Sequence, residues 1–173
     1  MRQEQLLFEK LMLANLDAAY NLARWMVESD QGAQDIVQEA YIQASKGFGG
    51  YRGADARPWL LTIVRNTAYD WIKKHAVDLV TFDQTIGVAP AGQSLAPHSQ
   101  EHKTGYLPAA LNRLPVEFRE ILVLREIEKL SYKQIASALN VSEDTVISRL
   151  SQARRRLRQE VAGVQDQKSQ NEL

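Results

Sequence analysis

The stretch LSYKQIASALNVSEDTVISRLSQARRRLR, residues 130–158, constrains the fold more than any other part of the chain. Apolar residues recur at helical spacing on both sides of Asn140-Val141-Ser142, which describes two short helices joined by a tight turn. In the first, near 132–139, Ile135, Ala136 and Leu139 turn inward, and Ser131 with Gln134 has the spacing of a capping box. In the second, near 143–160, Val146, Leu150, Ala153 and Leu157 form one apolar stripe. Ser142 suits its N-cap, and Glu143 and Asp144 suit the positive end of its dipole. The far face presents Asp144, Ser148, Ser151, Gln152 and Arg155, flanked by Arg149 and Arg154. A helix carrying small polar groups and arginines, braced by a shorter helix, fits a DNA major groove. A helical hairpin with a solvated basic face is the plainer reading. The coincidence of turn, cap and arginine cluster favours DNA binding. This step alone does not separate one class of DNA-binding protein from another, a repressor or a response-regulator output domain among them.

The rest of the chain is helical in pattern too. Residues 1–75 are rich in helix formers and predict helices near 3–14, 16–28, 31–46 and 56–75. Ser29 and Asp30 can cap the third, whose apolar stripe is Ile36, Val37, Ala40 and Ala44 and whose opposite stripe is Gln34, Asp35, Gln38, Glu39 and Ile42. The fourth buries Trp59, Leu60, Ile63, Val64, Thr67 and Trp71, and its other face carries Thr62, Arg65, Asn66, Tyr69, Asp70 and Lys73. Further helices are predicted near 106–113 and 116–128, separated by Pro115. Residues 76–105 hold two prolines and three glycines among Ser, Thr and Gln, with no sustained period, and read as a flexible linker. VDLVTF at 77–82 is the one strand-like run, and it is isolated. The tail after Gly163 is polar and reads as frayed. The expected fold is all-α: two small helical domains, 1–75 and 106–160, a linker at 76–105 and a tail at 161–173.

Several function classes are set aside on composition. The chain has no cysteine, so disulfides and cysteine-ligated metals are out. No run of about 18 apolar residues occurs, so no membrane insertion is expected. The N-terminus lacks a signal-peptide core, which makes a cytoplasmic protein the expectation. His98 and His102 have the spacing of a helical metal pair, but they lie in the linker with Glu101 as the one nearby carboxylate, so no metal or cofactor is expected. The glycines at 47, 49, 50 and 53 miss the dinucleotide fingerprint. No nucleophile has a recognisable context, so the chain does not read as an enzyme. The 21 basic and 21 acidic residues cancel, yet residues 106–160 hold ten basic against seven acidic, four of the arginines in one run.

The order of motifs resembles an extracytoplasmic-function sigma factor, the minimal two-domain type of the sigma-70 family. LNRLPVEFREILVLREIEKLSYKQIASALNVSEDTVISRLSQARRRLR is similar to that family's fourth conserved region, and QDIVQEAYIQA, F-x-x-Y-R and WLLTIVRNTAYDWIKK to its second, in the same order. The resemblance implies a core RNA polymerase partner, promoter DNA and an anti-sigma factor. Asp35, Gln38 and Glu39 resemble the surface that docks on the polymerase β′ coiled coil. Arg65, Asn66, Tyr69, Asp70, Lys73 and Lys74 lie on the helix that meets the −10 element. The loop from Gly47 to Arg57 resembles the one that holds a flipped base. The second domain resembles the module that sits on the β flap and reads the −35 element, with Thr145, Ser148, Arg149, Ser151, Gln152, Arg154 and Arg155 on its recognition helix. Ile147 and Gln152 stand where the family often has basic residues, and Lys73-Lys74 where it often has two arginines. Ile147 implies one phosphate contact fewer, Gln152 suits a paired bond to adenine, and lysine keeps charge but loses the guanidinium fork.

A sigma protein captures bases of one strand as they unstack, and stacking on an aromatic ring is worth roughly 1–3 kcal/mol per base. Tyr51, Tyr69 and Trp59 are candidates, although Trp59 and Trp71 lie on the apolar stripe and Phe48 and Tyr51 suit the core. Arg65 and Asn66 suit strand contact, with an acidic neighbour as the competing partner for Arg65. A linker of about 30 residues reaches ~100 Å, and two turns of duplex measure roughly 70 Å. Such a linker permits two separated contacts without fixing their spacing, which a rigid third body must set. A stand-alone helix-turn-helix regulator and a polymerase-binding adaptor are the competing readings.

Overall fold

The computed structural model describes residues 2–53, 55–86 and 106–171, with backbone alone at 77–86 and 167–171. Among these there is no strand, and the helices group into two domains. The first holds α1 (Arg2–Ala14), α2 (Leu16–Val27), α3 (Asp30–Gly47), a 3-10 turn (Phe48–Gly50) and α4 (Ala56–Ile86). The second holds α5 (Tyr106–Arg113), α6 (Val116–Leu122), a π turn (Val123–Ile127), α7 (Tyr132–Leu139) and α8 (Glu143–Asn171). His98, His102 and most of the sequence-predicted linker lie outside the described residues.

Local chemistry sets the helix ends. Ser29 caps α3 by accepting from the Gly32 amide at 3.0 Å. Ser131 and Gln134 close the capping box of α7 in both directions, at 3.1 and 2.8 Å. Asn140 ends α7 at φ 53°, a left-handed position that asparagine tolerates. Ser142 caps α8, accepting from the Thr145 amide at 3.1 Å. The two long helices outrun the sequence reading. α4 continues through VDLVTF to Ile86, because among the described residues the run has no second strand to pair with. α8 passes Gly163 to Asn171, since one glycine costs a helix only about 1 kcal/mol and the Gln-rich tail favours helix.

The core follows the apolar stripes. Ile36, Ala40 and Ala44 of α3 are fully buried, as are Leu60, Leu61 and Val64 of α4 and Leu22 of α2. α3 and α4 approach closely at Gly32, where an added Cβ would meet the Trp71 ring at 2.8 Å. That ring is held from its other side by stacking on His75 at 3.7 Å. In the second domain Val146, Leu150 and Ala153 are buried against α5, α6 and α7. The two domains also touch: α4 packs on α7, and α2 on α6 and the π turn.

Candidate nucleic-acid interface

The outer face of α8 is built as the sequence predicts. With Val146, Leu150 and Ala153 turned into the core, Ser148, Ser151, Gln152 and Arg155 are exposed and Thr145, Arg149 and Arg154 half-buried. An open groove of about 630 Å³ runs between α6 and α8, with Glu117 and Phe118 on one wall and Asp144, Thr145, Ser148, Arg149 and Gln152 on the other. Two of the predicted residues are engaged within the chain. The Thr145 hydroxyl lies 2.8 Å from the Ser142 hydroxyl in the cap. Arg154 donates to Glu126 at 2.6 and 3.0 Å, and this bond is what holds its ionisation above the ordinary guanidinium range.

The predicted −10 residues divide into two groups. Asn66, Asp70, Lys73 and Lys74 are exposed along one side of α4. Arg65 and Tyr69 are half-buried and turned toward the second domain. The Arg65 fork spans the Glu120 carboxylate at 2.8 and 3.3 Å, and its guanidinium lies 4.7 Å from the centre of the Tyr69 ring. Glu120 is completely buried. Burial pushes its pKa up, while Arg65, then Tyr69 and Arg149 of the recognition helix, oppose the rise. The Tyr69 hydroxyl is buried beside Glu120, and burial, then the Glu120 charge and a hydrogen bond to that carboxylate, holds its proton well past the usual phenol range. Periodicity marks Arg65 as off the core face of its own helix. It does not reveal a carboxylate 55 positions away.

Three more polar contacts cross between the domains. Arg119 pairs with Glu28, Arg57 with Glu128, and Gln134 donates to Asp55 at 2.9 Å. Asp55 and Arg57 belong to the loop read from the sequence as holding a flipped base, while Glu28, Arg119, Glu128 and Gln134 carried no site signal.

The aromatic residues of the 47–57 segment pack on one another. Phe48 is buried, stacked on Tyr51 at 5.6 Å and flanked by Phe8 at 5.1 Å, and Tyr51 lies 5.0 Å from Trp59. Tyr51 and Trp59 remain half-buried.

Asp35, Gln38 and Glu39 line the exposed side of α3 as predicted, with Gln31 donating to Asp35 and Gln43 to Glu39 at 2.9 and 3.1 Å. Next to them lies a groove of about 580 Å³ between α2 and α3, with Leu16, Tyr20 and Asn21 on one wall and Gln34, Val37 and Gln38 on the other. The α2 wall escaped the sequence reading. Its one signal is Leu16, a leucine that the structure leaves 40% exposed at the start of an amphipathic helix. Among the described residues no group of His, Asp or Glu could hold a metal, and no helix is long and apolar enough to cross a membrane.

Comparison with known proteins matches both domains. Residues 11–77 match the family model for sigma-70 region 2, and residues 104–157 that for sigma-70 region 4. The ECF RNA polymerase sigma factor SigM of Bacillus subtilis (strain 168) is 28% identical over 143 residues, 83% of this chain and 88% of that protein. SigX, an ECF RNA polymerase sigma factor of the same strain, is 31% identical over 136 residues, 73% of this chain and 69% of that one. Among solved structures, the sigma factor RpoE in complex with the anti-sigma factor NepR from Bartonella quintana superposes with a TM-score of 0.76 at 27% identity, covering 90% of this chain and 96% of that one. A stand-alone regulator has no use for a region 2 domain ahead of its helix-turn-helix. The chain belongs to the sigma-70 family, as an RNA polymerase sigma factor of the extracytoplasmic-function type.

Proposed function

We propose a division of labour among the faces described above. The exposed side of α8 reads the −35 element, with Ser148, Arg149, Ser151, Gln152 and Arg155 entering the major groove and Thr145 and Arg154 at its edge. The exposed side of α4, with Asn66, Asp70, Lys73 and Lys74, meets the −10 element, and Arg65 and Tyr69 join it when the domains part. Asp35, Gln38 and Glu39, with the adjoining α2–α3 groove, take the β′ coiled coil of core polymerase, and the second domain takes the β flap. Residues 1–75 and 106–160 are then the two working domains. The observation that carries this reading is the pair of exposed polar helix faces, one per domain, each backed by a buried stripe that is apolar but for Thr67 of α4.

The chain does no chemistry of its own in this scheme: the polymerase does, in the cytoplasm. An anti-sigma protein that covers these faces is the expected regulator, as NepR is the partner of the RpoE relative. Net charge of zero fits a factor whose DNA affinity is supplied largely by the polymerase.

Run-off transcription with purified core polymerase on a pool of genomic fragments, with start-site mapping, tests the proposal. Gln152→Ala is expected to relax selectivity at one −35 position by about 1–3 kcal/mol, a shift of roughly five- to 150-fold in promoter ranking. Asn66→Ala is expected to slow strand opening and leave −35 contacts intact. Unchanged promoter choice in both variants would sink the assignment of these faces.

A further inference from the structure

We propose that Arg156, held over the ring of Phe118, is an arm that grips a DNA phosphate at the flank of the −35 groove, and that Phe118 of α6 is the residue that positions it. The proposal rests on reading α8 as the −35 helix.

Thr145, Arg149, Gln152 and Arg156 follow one another in steps of four, three and four residues, so they share one flank of α8. The first three line the groove that faces Glu117 and Phe118 of α6. Arg156 lies one turn further on and meets the same phenyl ring. A helix laid in a major groove turns one face to the base edges and its flanks to the two phosphate strands. Arg156 stands 13 residues after Glu143, about 20 Å along the axis. The groove is only about 12 Å wide, so this turn is past the bases and level with the backbone.

Charge sorts along the same helix. Glu143 and Asp144 occupy its first turn, with Glu117 across the groove, and the arginine run begins three turns later. A phosphate is repelled at the first end and attracted at the second. On the opposite flank Ile147 is 49% exposed and offers no cation. Arg154 is tied to Glu126 at 2.6 and 3.0 Å. Arg156 is exposed and, among the described residues, forms no salt bridge.

Its guanidinium carbon lies 5.4 Å from the centre of the Phe118 ring. A ring attracts a cation without using up a hydrogen-bond donor, so the guanidinium N–H groups stay available to phosphate oxygens. Phe118 is itself half-buried against the core of its domain, which makes it a fixed post. A side chain held in place before binding gives up less freedom when it grips.

Holoenzyme made from the full chain and purified core polymerase, on a promoter duplex recovered by run-off transcription, tests the arm by fluorescence anisotropy across a salt series. Arg156→Ala is expected to lower the slope of log affinity against log salt by about 0.9, a weakening of roughly eightfold at 0.1 M that shrinks to about twofold at 0.4 M. The same loss is expected on a duplex whose −35 element is scrambled, because a phosphate carries no sequence, whereas the Gln152→Ala loss is expected on the intact element alone. Phe118→Leu keeps apolar bulk without a ring and is expected to weaken binding about two- to fivefold, and to add nothing once Arg156 is alanine. Phe118→Trp is expected to bind as tightly as the unmodified factor. Circular dichroism checks that the helices persist in each variant. An unchanged slope in Arg156→Ala, or a loss confined to the intact −35 element, overturns the arm. So does weaker association of that variant with core polymerase in the absence of DNA, which would place Arg156 on the enzyme. Equal binding by the Phe118→Leu and Phe118→Trp factors overturns the positioning role of Phe118. If Gln152→Ala also leaves both duplexes unaffected, the reading of α8 as the −35 helix fails, and the arm with it.

Discussion

The Tyr41 hydroxyl donates to the Met12 carbonyl at 2.8 Å and ties α3 to the end of α1. Burial, and after it the charge of Asp17, pushes its ionisation up to about 12. The folded state keeps a proton that the unfolded chain releases near pH 10. Its stabilisation is therefore whole below about pH 10 and is lost as pH climbs toward about 12. Tyr41→Phe is expected to cost about 1 kcal/mol near neutrality. The gap between the two proteins is expected to narrow above about pH 10, read as urea midpoints across that range. A gap that stays constant would mean that the bond does not couple to ionisation. The sequence shows Tyr41 on the flank of α3 but offers no sign of its partner, because a bond to a backbone carbonyl leaves no trace in side-chain pattern. Glu120 is the stronger example. It is a charged residue in a short helix, and its Arg65 partner stands in the other domain, 55 positions away.

At the scale of the element, what is local was legible. The caps at Ser29, Ser131 and Ser142 and the turn at Asn140 rest on residues within three or four positions of each other, and the structure forms them all. What depends on competition was not. The extension of α4 to Ile86 is settled by the lack of a pairing strand, and the π turn at Val123–Ile127, closed by the Glu128 amide on the Val123 carbonyl at 2.9 Å, has no periodic signature. The Ser142 cap does double duty, accepting from the Thr145 amide while contacting the Thr145 hydroxyl. Ser142→Ala is expected to cost about 1 kcal/mol in stability. It is also expected to fray the first turn of the recognition helix and weaken −35 binding more than Ser131→Ala, which cuts an equivalent cap on a helix that reads nothing. Filter binding of the two variants to one −35 duplex, beside their denaturation curves, separates the effects. Equal losses of DNA binding would show that the cap acts through global stability alone.

At the scale of the whole molecule, helical period and composition disclosed two all-α domains and the faces each presents, since both follow from residues near in sequence. They concealed the closed arrangement, because its ion pairs join residues 55, 71 and 91 positions apart. The length of α4 then bears on how the factor opens. From Ile86 to Tyr106 are 20 peptide steps, about 70 Å when fully drawn out, against roughly 70 Å for two turns of duplex. With α4 helical to Ile86 the chain has almost no slack. Unwinding residues 76–86 would add about 20 Å, the difference between an extended and a helical rise over that stretch. Removing about eight residues from 87–105 takes away roughly 28 Å, more than that reserve. The shortened factor is expected to keep its helical content in circular dichroism and to bind core polymerase. Run-off transcription from a promoter with two-turn spacing is expected to fall more than about tenfold, and an insertion of equal length to restore it. Full activity after the deletion would mean that the two domains never separate by the distance between their elements, and the scheme of one face per element would have to be abandoned.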